Sequence, residues 1–224
     1  MKDFSIFDIV GPNMIGPSSS HTAGALRIAH LARGMIHGRV VRAQFTLYGS
    51  FARTYRGHGT DRALIAGVLG FGTEDSRIRD SFRWAQGVGL QYSFEVNTTD
   101  TDCHPNTARL LLTSDTGETA DVTGVSVGGG SAVITRINGV DIDLTGDYHT
   151  ILARHKDTPG VVAAITGILG RNHINIAFMR LYREGRGSLA YTIIEADEEI
   201  PAAAVGQIRS QPSGQSALLI PKLA

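Results

Sequence analysis

The sequence predicts an α+β chain: an N-terminal α/β domain built on an antiparallel sheet, then a ferredoxin-like βαββαβ domain. Three observations lead there. Apolar residues alternate at strand spacing in some stretches and recur at helical spacing in others. Turn signals such as Asp115-Thr116-Gly117 and Asn138-Gly139 join short strands into hairpins. From residue 148 onward the order reads strand, helix, strand, strand, helix, strand.

The first element is a loop from Gly11 to Thr22, punctuated by Gly11-Pro12 and Gly16-Pro17. A helix over 23–33 follows, with Ala25, Ile28, Ala29 and Ala32 on one face and Gly34 as its stop. Val41, Ala43, Phe45 and Leu47 alternate with polar residues in a half-buried strand ending at Gly49. Residues 49–61 read as a loop. Thr60-Asp61 then opens a helix carrying Leu64, Ile65, Val68 and Leu69. A third helix is expected over 76–86, and strands over 92–96, 110–114, 119–127, 133–137 and 140–144. In the second half the strands are expected over 150–154, 174–182, 189–195 and 217–220. Pro159 suits the first turn of one helix, striped by Val161, Val162, Ile165, Ile168 and Leu169. A second helix is expected over 201–208. The turn-rich stretch from Asp141 to Asp147 marks the boundary, giving domains 1–146 and 148–224.

With 224 residues the chain is long enough for two cores. Hydrophobic residues at 42% and charged residues at 19% fit an ordinary soluble globular protein. Twenty-one basic residues balance twenty-one acidic ones, so no net field draws the chain to nucleic acid or a membrane surface. No apolar run spans a bilayer, and Met1-Lys2-Asp3-Phe4 leads into no signal-peptide core; the expected location is the cytoplasm. Cys103 is the only cysteine. An iron–sulfur cluster takes about four cysteine ligands, so any such cluster is expected on another chain. Lys2, Lys156 and Lys222 are the only lysines, and none sits in a loop suited to a Schiff base.

Four stretches could carry chemistry. Ser18, Ser19, Ser20 and Thr22 set hydroxyls around His21 just before a helix, where free N–H groups suit a carboxylate. The same residues also serve as ordinary helix caps. In Gly49 to Asp61, glycines flank His58, and Arg53 and Arg56 could receive a carboxylate; a solvated loop is the plain alternative. In Cys103-His104-Pro105-Asn106-Thr107, the proline favours an extended His104 and Asn106 can donate and accept together. A lone cysteine such as Cys103 is more often a small buried hydrophobe. Ser126-Val127-Gly128-Gly129-Gly130-Ser131 reads as a hairpin bend ahead of an anion-binding nest. Trp84 reads as a packing residue and not a base-stacking platform, and the remaining histidines, including His30 and His155, as surface or packing residues.

Together these stretches resemble the iron–sulfur L-serine dehydratase beta subunit. The likeness runs through Phe7-Asp8-Ile9-Val10-Gly11-Pro12, residues 16–24, Gly57-His58-Gly59-Thr60-Asp61, His104-Pro105-Asn106-Thr107 and Ser126 to Gly130. The C-terminal half resembles an ACT domain, with Asp157-Thr158-Pro159-Gly160 in the ligand-loop place. The resemblance implies conversion of L-serine to pyruvate and ammonia, and a first domain of allosteric substrate-binding type. It implies a [4Fe–4S] cluster on the alpha subunit, which is the partner chain, and self-association through the ACT half. It implies no metal bound by this chain, and the charge balance and hydropathy give the expectation of no nucleic-acid partner and no membrane partner. On this reading Ser18, Ser20, Thr22 and Asn106 bind substrate, His21 is the candidate acid–base group, and His58 and His104 complete the catalytic wall. Asp157 and Gly160 form the regulatory ligand loop. The alternative is a purely regulatory, amino-acid-sensing subunit with no residue in the active site.

Overall fold

The computed structural model describes residues 13–100, 102–212 and 214–223. It divides into two compact units, Met1–Gly139 and Val140–Ala224. The Phe7 to Pro12 part of the likeness lies outside the described residues.

The first unit centres on a sheet whose strands lie in the order β2-β1-β3-β4-β5. They are β1 (Val40–Tyr48), β2 (Gln91–Asn97), β3 (Thr107–Ser114), β4 (Thr119–Gly128) and β5 (Ser131–Ile137). Ala43, Phe45 and Leu47 of β1 and Leu110 and Leu112 of β3 point into one core. Two helices close that face, α1 (Ala25–Gly34) and α3 (Thr60–Val68), packed on one another. Their buried stripes are Ile28, Ala29, Leu31 and Ala32 on α1, and Leu64, Ile65 and Val68 on α3. The period-two and helical patterns of the sequence meet here as one apolar interior.

The α+β class stands, and five details differ from the sequence expectation. β1 and β2 are parallel, Arg42 facing Gln91 through Tyr48 facing Asn97. The helices between them form a crossover that returns the chain to the same end of the sheet. Residues 49–54, read as loop, form a short helix, α2 (Gly49–Thr54). The third helix is broken into a 3₁₀ turn, Ser76–Asp80, and α4 (Ser81–Gly87). The Asp75 carboxylate caps the turn by accepting from the Arg77 backbone N–H at 2.9 Å. Trp84 is 45% exposed, its ring set edge-on to Phe71 and beneath the Arg77 guanidinium, so it covers the surface and does not fill the core. Cys103 is likewise only half-buried, because it sits in a turn and not in the sheet. Gly128, Gly129 and Gly130 all hold positive φ in the β4–β5 bend.

The second unit begins with β6 (Val140–Leu144), after the Asn138-Gly139 turn, and continues in the expected βαββαβ order. The elements are β7 (His149–Lys156), α5 (Val161–Arg171), β8 (Phe178–Arg183), β9 (Leu189–Ala196), α6 (Ala202–Arg209) and β10 (Gly214–Ile220). The last four strands lie β10-β7-β9-β8, every pair antiparallel. Ile151, Ile165, Ile168, Leu169, Ile194, Val205 and Ile208 form the core between helices and sheet. β8 starts at Phe178 and not at Ile174, because the Ile174 N–H is spent on the Leu169 carbonyl closing α5. His155 is a packing residue: it is buried and its Nε2 lies 2.8 Å from Thr192 Oγ1.

Candidate active site

The serine loop organises the first unit's site. Ser18 is extended, and its Oγ accepts from the His21 backbone N–H at 3.2 Å. The Thr22 N–H donates to the Ser18 carbonyl at 2.8 Å, and Ser19–Gly24 winds as a π-helical turn into α1. Such wide turns often occur where side chains serve a site. This winding turns His21 toward the second loop. Its Nε2 lies 3.1 Å from Ser50 Oγ, and its Nδ1 lies 3.4 Å from Ser18 Oγ. Its ring meets His58 edge-on at 4.8 Å and Phe51 at 5.3 Å between centroids. Thr22 Oγ1 donates to the His58 carbonyl at 3.2 Å, tying the two loops directly.

Beside this pair opens a cavity of about 540 Å³. Gly16, Thr22, His58, Gly59, Arg62 and Arg79 supply its polar wall, and Met14, Ile15 and Ile78 its apolar one. His21 lies behind that wall. Burial, and then the neighbouring His58, hold its pKa below the ordinary 6.5, so it is neutral at pH 7. Burial pushes the Asp61 carboxyl up, against the pull of Arg62 and Arg56. Arg62 and Arg79 were not singled out by the sequence; only their place on α3 and in the 3₁₀ turn turns them to the cavity. Arg53 and Arg56 do not line it. Arg53 borders a separate cavity of about 280 Å³ with Asn97, Asp100 and Cys103, and Arg56 lies over the Tyr55 ring.

The third motif arrives by its backbone. The Pro105 carbonyl accepts from the Ser50 N–H at 2.6 Å and from the Phe51 N–H at 3.3 Å. His104 is exposed and turned onto its own loop, its Nδ1 accepting from the Asn106 N–H at 3.2 Å. It neither lines the cavity nor touches His21 among the described residues. The Asn106 carbonyl accepts from the Ser126 N–H at 3.0 Å. The Asn106 Oδ1 is buried and has no hydrogen-bond partner among the described residues. Ser20 is half-buried in the π-helical turn. Thus His21, His58, Ser18 and Thr22 come together, whereas the His104 side chain does not join them. Ser50 and Phe51 were inside a stretch read as loop, and the helix that aims them was the missing information.

In the second unit the Asp157 carboxylate accepts from Arg183 at 3.0 Å and from the Gly187 N–H at 3.2 Å, which holds it below its usual pKa. Gly160 precedes α5 with φ of 90°. Among the described residues no three His, Cys, Asp or Glu side chains gather as a metal site. With one cysteine in the chain, these residues do not make a ligand set for a [4Fe–4S] cluster.

Comparison with known proteins places this arrangement. The family described as serine dehydratase beta chain matches residues 4–86, and the ACT domain family matches residues 149–213. The chain is 41% identical over 213 residues to the probable L-serine dehydratase, beta chain, of Bacillus subtilis (strain 168), spanning 95% of this chain and 96% of that one. The chain belongs to the serine dehydratase beta chain family. It is 38% identical over 200 residues to the L-serine dehydratase, beta chain, of Peptoniphilus asaccharolyticus, covering 89% and 90% of the two chains. It is also 29% identical over 136 residues to D-3-phosphoglycerate dehydrogenase of Bacillus subtilis, 61% of this chain but 26% of that one. As a serine dehydratase beta chain it is a subunit of an enzyme. Its ferredoxin-like second unit carries the ACT match. His21, Ser50, His58, Arg62 and Arg79 all fall inside the serine dehydratase match, and His104 and Asn106 fall outside it. No helix among the described residues is long and apolar enough to cross a membrane.

Proposed function

We propose that this chain is the beta subunit of a two-chain L-serine dehydratase converting L-serine to pyruvate and ammonia. A separate alpha subunit carries the [4Fe–4S] cluster on its cysteines, and the two work as a heterodimer in the cytoplasm. The functional domains are taken as 1–146 and 148–224, which assigns β6 to the first although it falls in the second compact unit, and copies associate through the ACT half, where Asp157 and Gly160 border the regulatory ligand loop.

The observation that carries this reading is the single cavity on which Thr22, His58, Arg62 and Arg79 converge, with His21 behind it. Arg62 and Arg79 present guanidinium groups suited to the serine carboxylate. The Thr22 hydroxyl, whose proton is given to the His58 carbonyl, keeps lone pairs for the ammonium. Met14, Ile15 and Ile78 favour a small substrate. Loss of water from serine requires removal of the α proton, and His58 is the imidazole that faces the cavity. His21, the candidate acid–base group, has a hydroxyl beside each ring nitrogen and meets the His58 ring edge-on. Ser18 and Ser20 shape the loop around the substrate. Exposed His104, with Asn106, belongs to the face turned to the alpha subunit.

The test is the two-chain enzyme, purified anaerobically and assayed for pyruvate. His58→Ala and His21→Ala are each expected to lower kcat/KM for L-serine by about a hundredfold or more. Unchanged kcat/KM in both would remove the pair from the chemistry. The second reading, a purely regulatory subunit, is favoured by the ACT match. It predicts that the same substitutions alter cooperativity while sparing the maximal rate.

A further inference from the structure

The third motif has no side chain on the cavity, yet its backbone grips the start of α2. Ser50 sits between the two sites of contact. Its N–H donates to the Pro105 carbonyl at 2.6 Å, and its Oγ stands 3.1 Å from His21 Nε2. Its carbonyl also accepts from Thr54 Oγ1 at 2.8 Å, so the residue is held on three sides. Gly49 lets the loop come this close. A β-carbon there would meet the Pro105 oxygen at 2.6 Å and its Cα at 2.7 Å.

We infer that Ser50 is a positioning residue for His21, and that the Pro105 loop acts on the site through it. The other hydroxyl at the ring, that of Ser18, already accepts from the His21 backbone N–H and stands off from Nδ1 at 3.4 Å. Of these two hydroxyl contacts the Ser50 one is the shorter, and it comes from outside the serine loop. It therefore fixes the rotation of the imidazole about its own side-chain bonds. The edge of that ring, in turn, packs on His58 at 4.8 Å. His104-Pro105 thus reaches the site through a carbonyl, not through the histidine ring.

The effect on rate rests on the function proposed above; the anchoring of the ring does not. Two measurements separate them. In the full-length chain, the exchange of the His21 ring N–H proton with water is read by nuclear magnetic resonance. Ser50→Ala is expected to speed it about tenfold, and Ser50→Thr, which keeps the hydroxyl, to restore the slow rate. His21 ring-nitrogen chemical shifts and ring N–H exchange both equal to wild type in Ser50→Ala would overturn the inference by themselves. In the two-chain enzyme, Ser50→Ala is expected to lower kcat about tenfold with KM nearly unchanged, and Ser50→Thr to recover most of it. Full kcat in Ser50→Ala, beside a crippled His21→Ala, would overturn Ser50's part in the rate. Full kcat in His21→Ala would instead overturn the functional reading, and the exchange result would still stand or fall on its own.

Discussion

Replacing Gly49 by alanine puts a β-carbon where the chain has no room for one, and the cost can be worked out. Gly49 holds φ at 51°, and the added carbon would meet the Pro105 oxygen, Cα and carbonyl carbon at 2.6, 2.7 and 3.0 Å. Left-handed backbone costs an alanine about 1–2 kcal/mol. Pushing packed backbone aside costs about 1–3 kcal/mol more. The sum, about 2–5 kcal/mol, is a large part of the roughly 5–15 kcal/mol that holds a domain together, yet leaves it folded in most of that range. Gly70→Ala is the reference, since Gly70 has φ of 82° but no atom within 4 Å of the added carbon. It should lose only the backbone cost. Urea unfolding followed by tryptophan fluorescence measures both, because Trp84 is the only tryptophan and lies in α4 of the first unit. Gly49→Ala should fall below Gly70→Ala by about 1–3 kcal/mol. Equal losses would refute the claim that the Pro105 loop presses on this helix start.

Other outcomes follow from the same structure. Arg62→Gln and Arg79→Gln should each raise KM for L-serine about tenfold or more in the two-chain enzyme, as expected for loss of a charged contact to a carboxylate; unchanged KM for both would take the carboxylate elsewhere. Burial holds His21 and His30 below the ordinary 6.5, so below that pH the unfolded chain takes up protons that the folded chain refuses. Stability of the first unit should be full above pH 6.5 and decline beneath it, and His30→Gln should flatten the decline; a flat wild-type profile over that range contradicts this. Glu195 is 3% exposed, and its pKa is raised by burial despite Arg180 at 3.2 Å. As pH rises through the ordinary 4.5 the unfolded chain gives up a proton that the folded chain keeps, so stability falls. Glu195→Gln keeps a hydrogen bond to Arg180 and should melt no lower than wild type at pH 7; a clearly lower melting temperature would show that the ion pair is net stabilising.

Patterned elements were readable from residues alone. β1 is announced by Ala43, Phe45 and Leu47, and α5 by Val161, Ile165, Ile168 and Leu169, because burying one face imposes a period. Asn138-Gly139 announced its turn because positive φ at both positions suits few other pairs. The parallel pairing of β1 and β2 was not readable: strand period says nothing about direction, which the intervening helices decide. Short α2 has too few residues for a periodic stripe. The site was half legible. Ser18, His21 and Thr22 stand together in sequence, and the glycines around His58 marked the second loop. Arg62, Arg79 and Ser50 carry no local signal; they become neighbours of the cavity only when α2, α3 and the 3₁₀ turn pack. His104 drew notice as a titratable side chain, while the contact that matters is the Pro105 carbonyl, which no side-chain inventory can reveal.

Pyruvate formation from L-serine, measured anaerobically with the cysteine-bearing alpha chain alone, with this chain alone and with both, tests the shared active site most directly. Turnover is expected only when the two chains are combined, and to disappear when the added chain carries His58→Ala. Turnover by this chain alone, or a full rate from the alpha chain without it, would contradict the account.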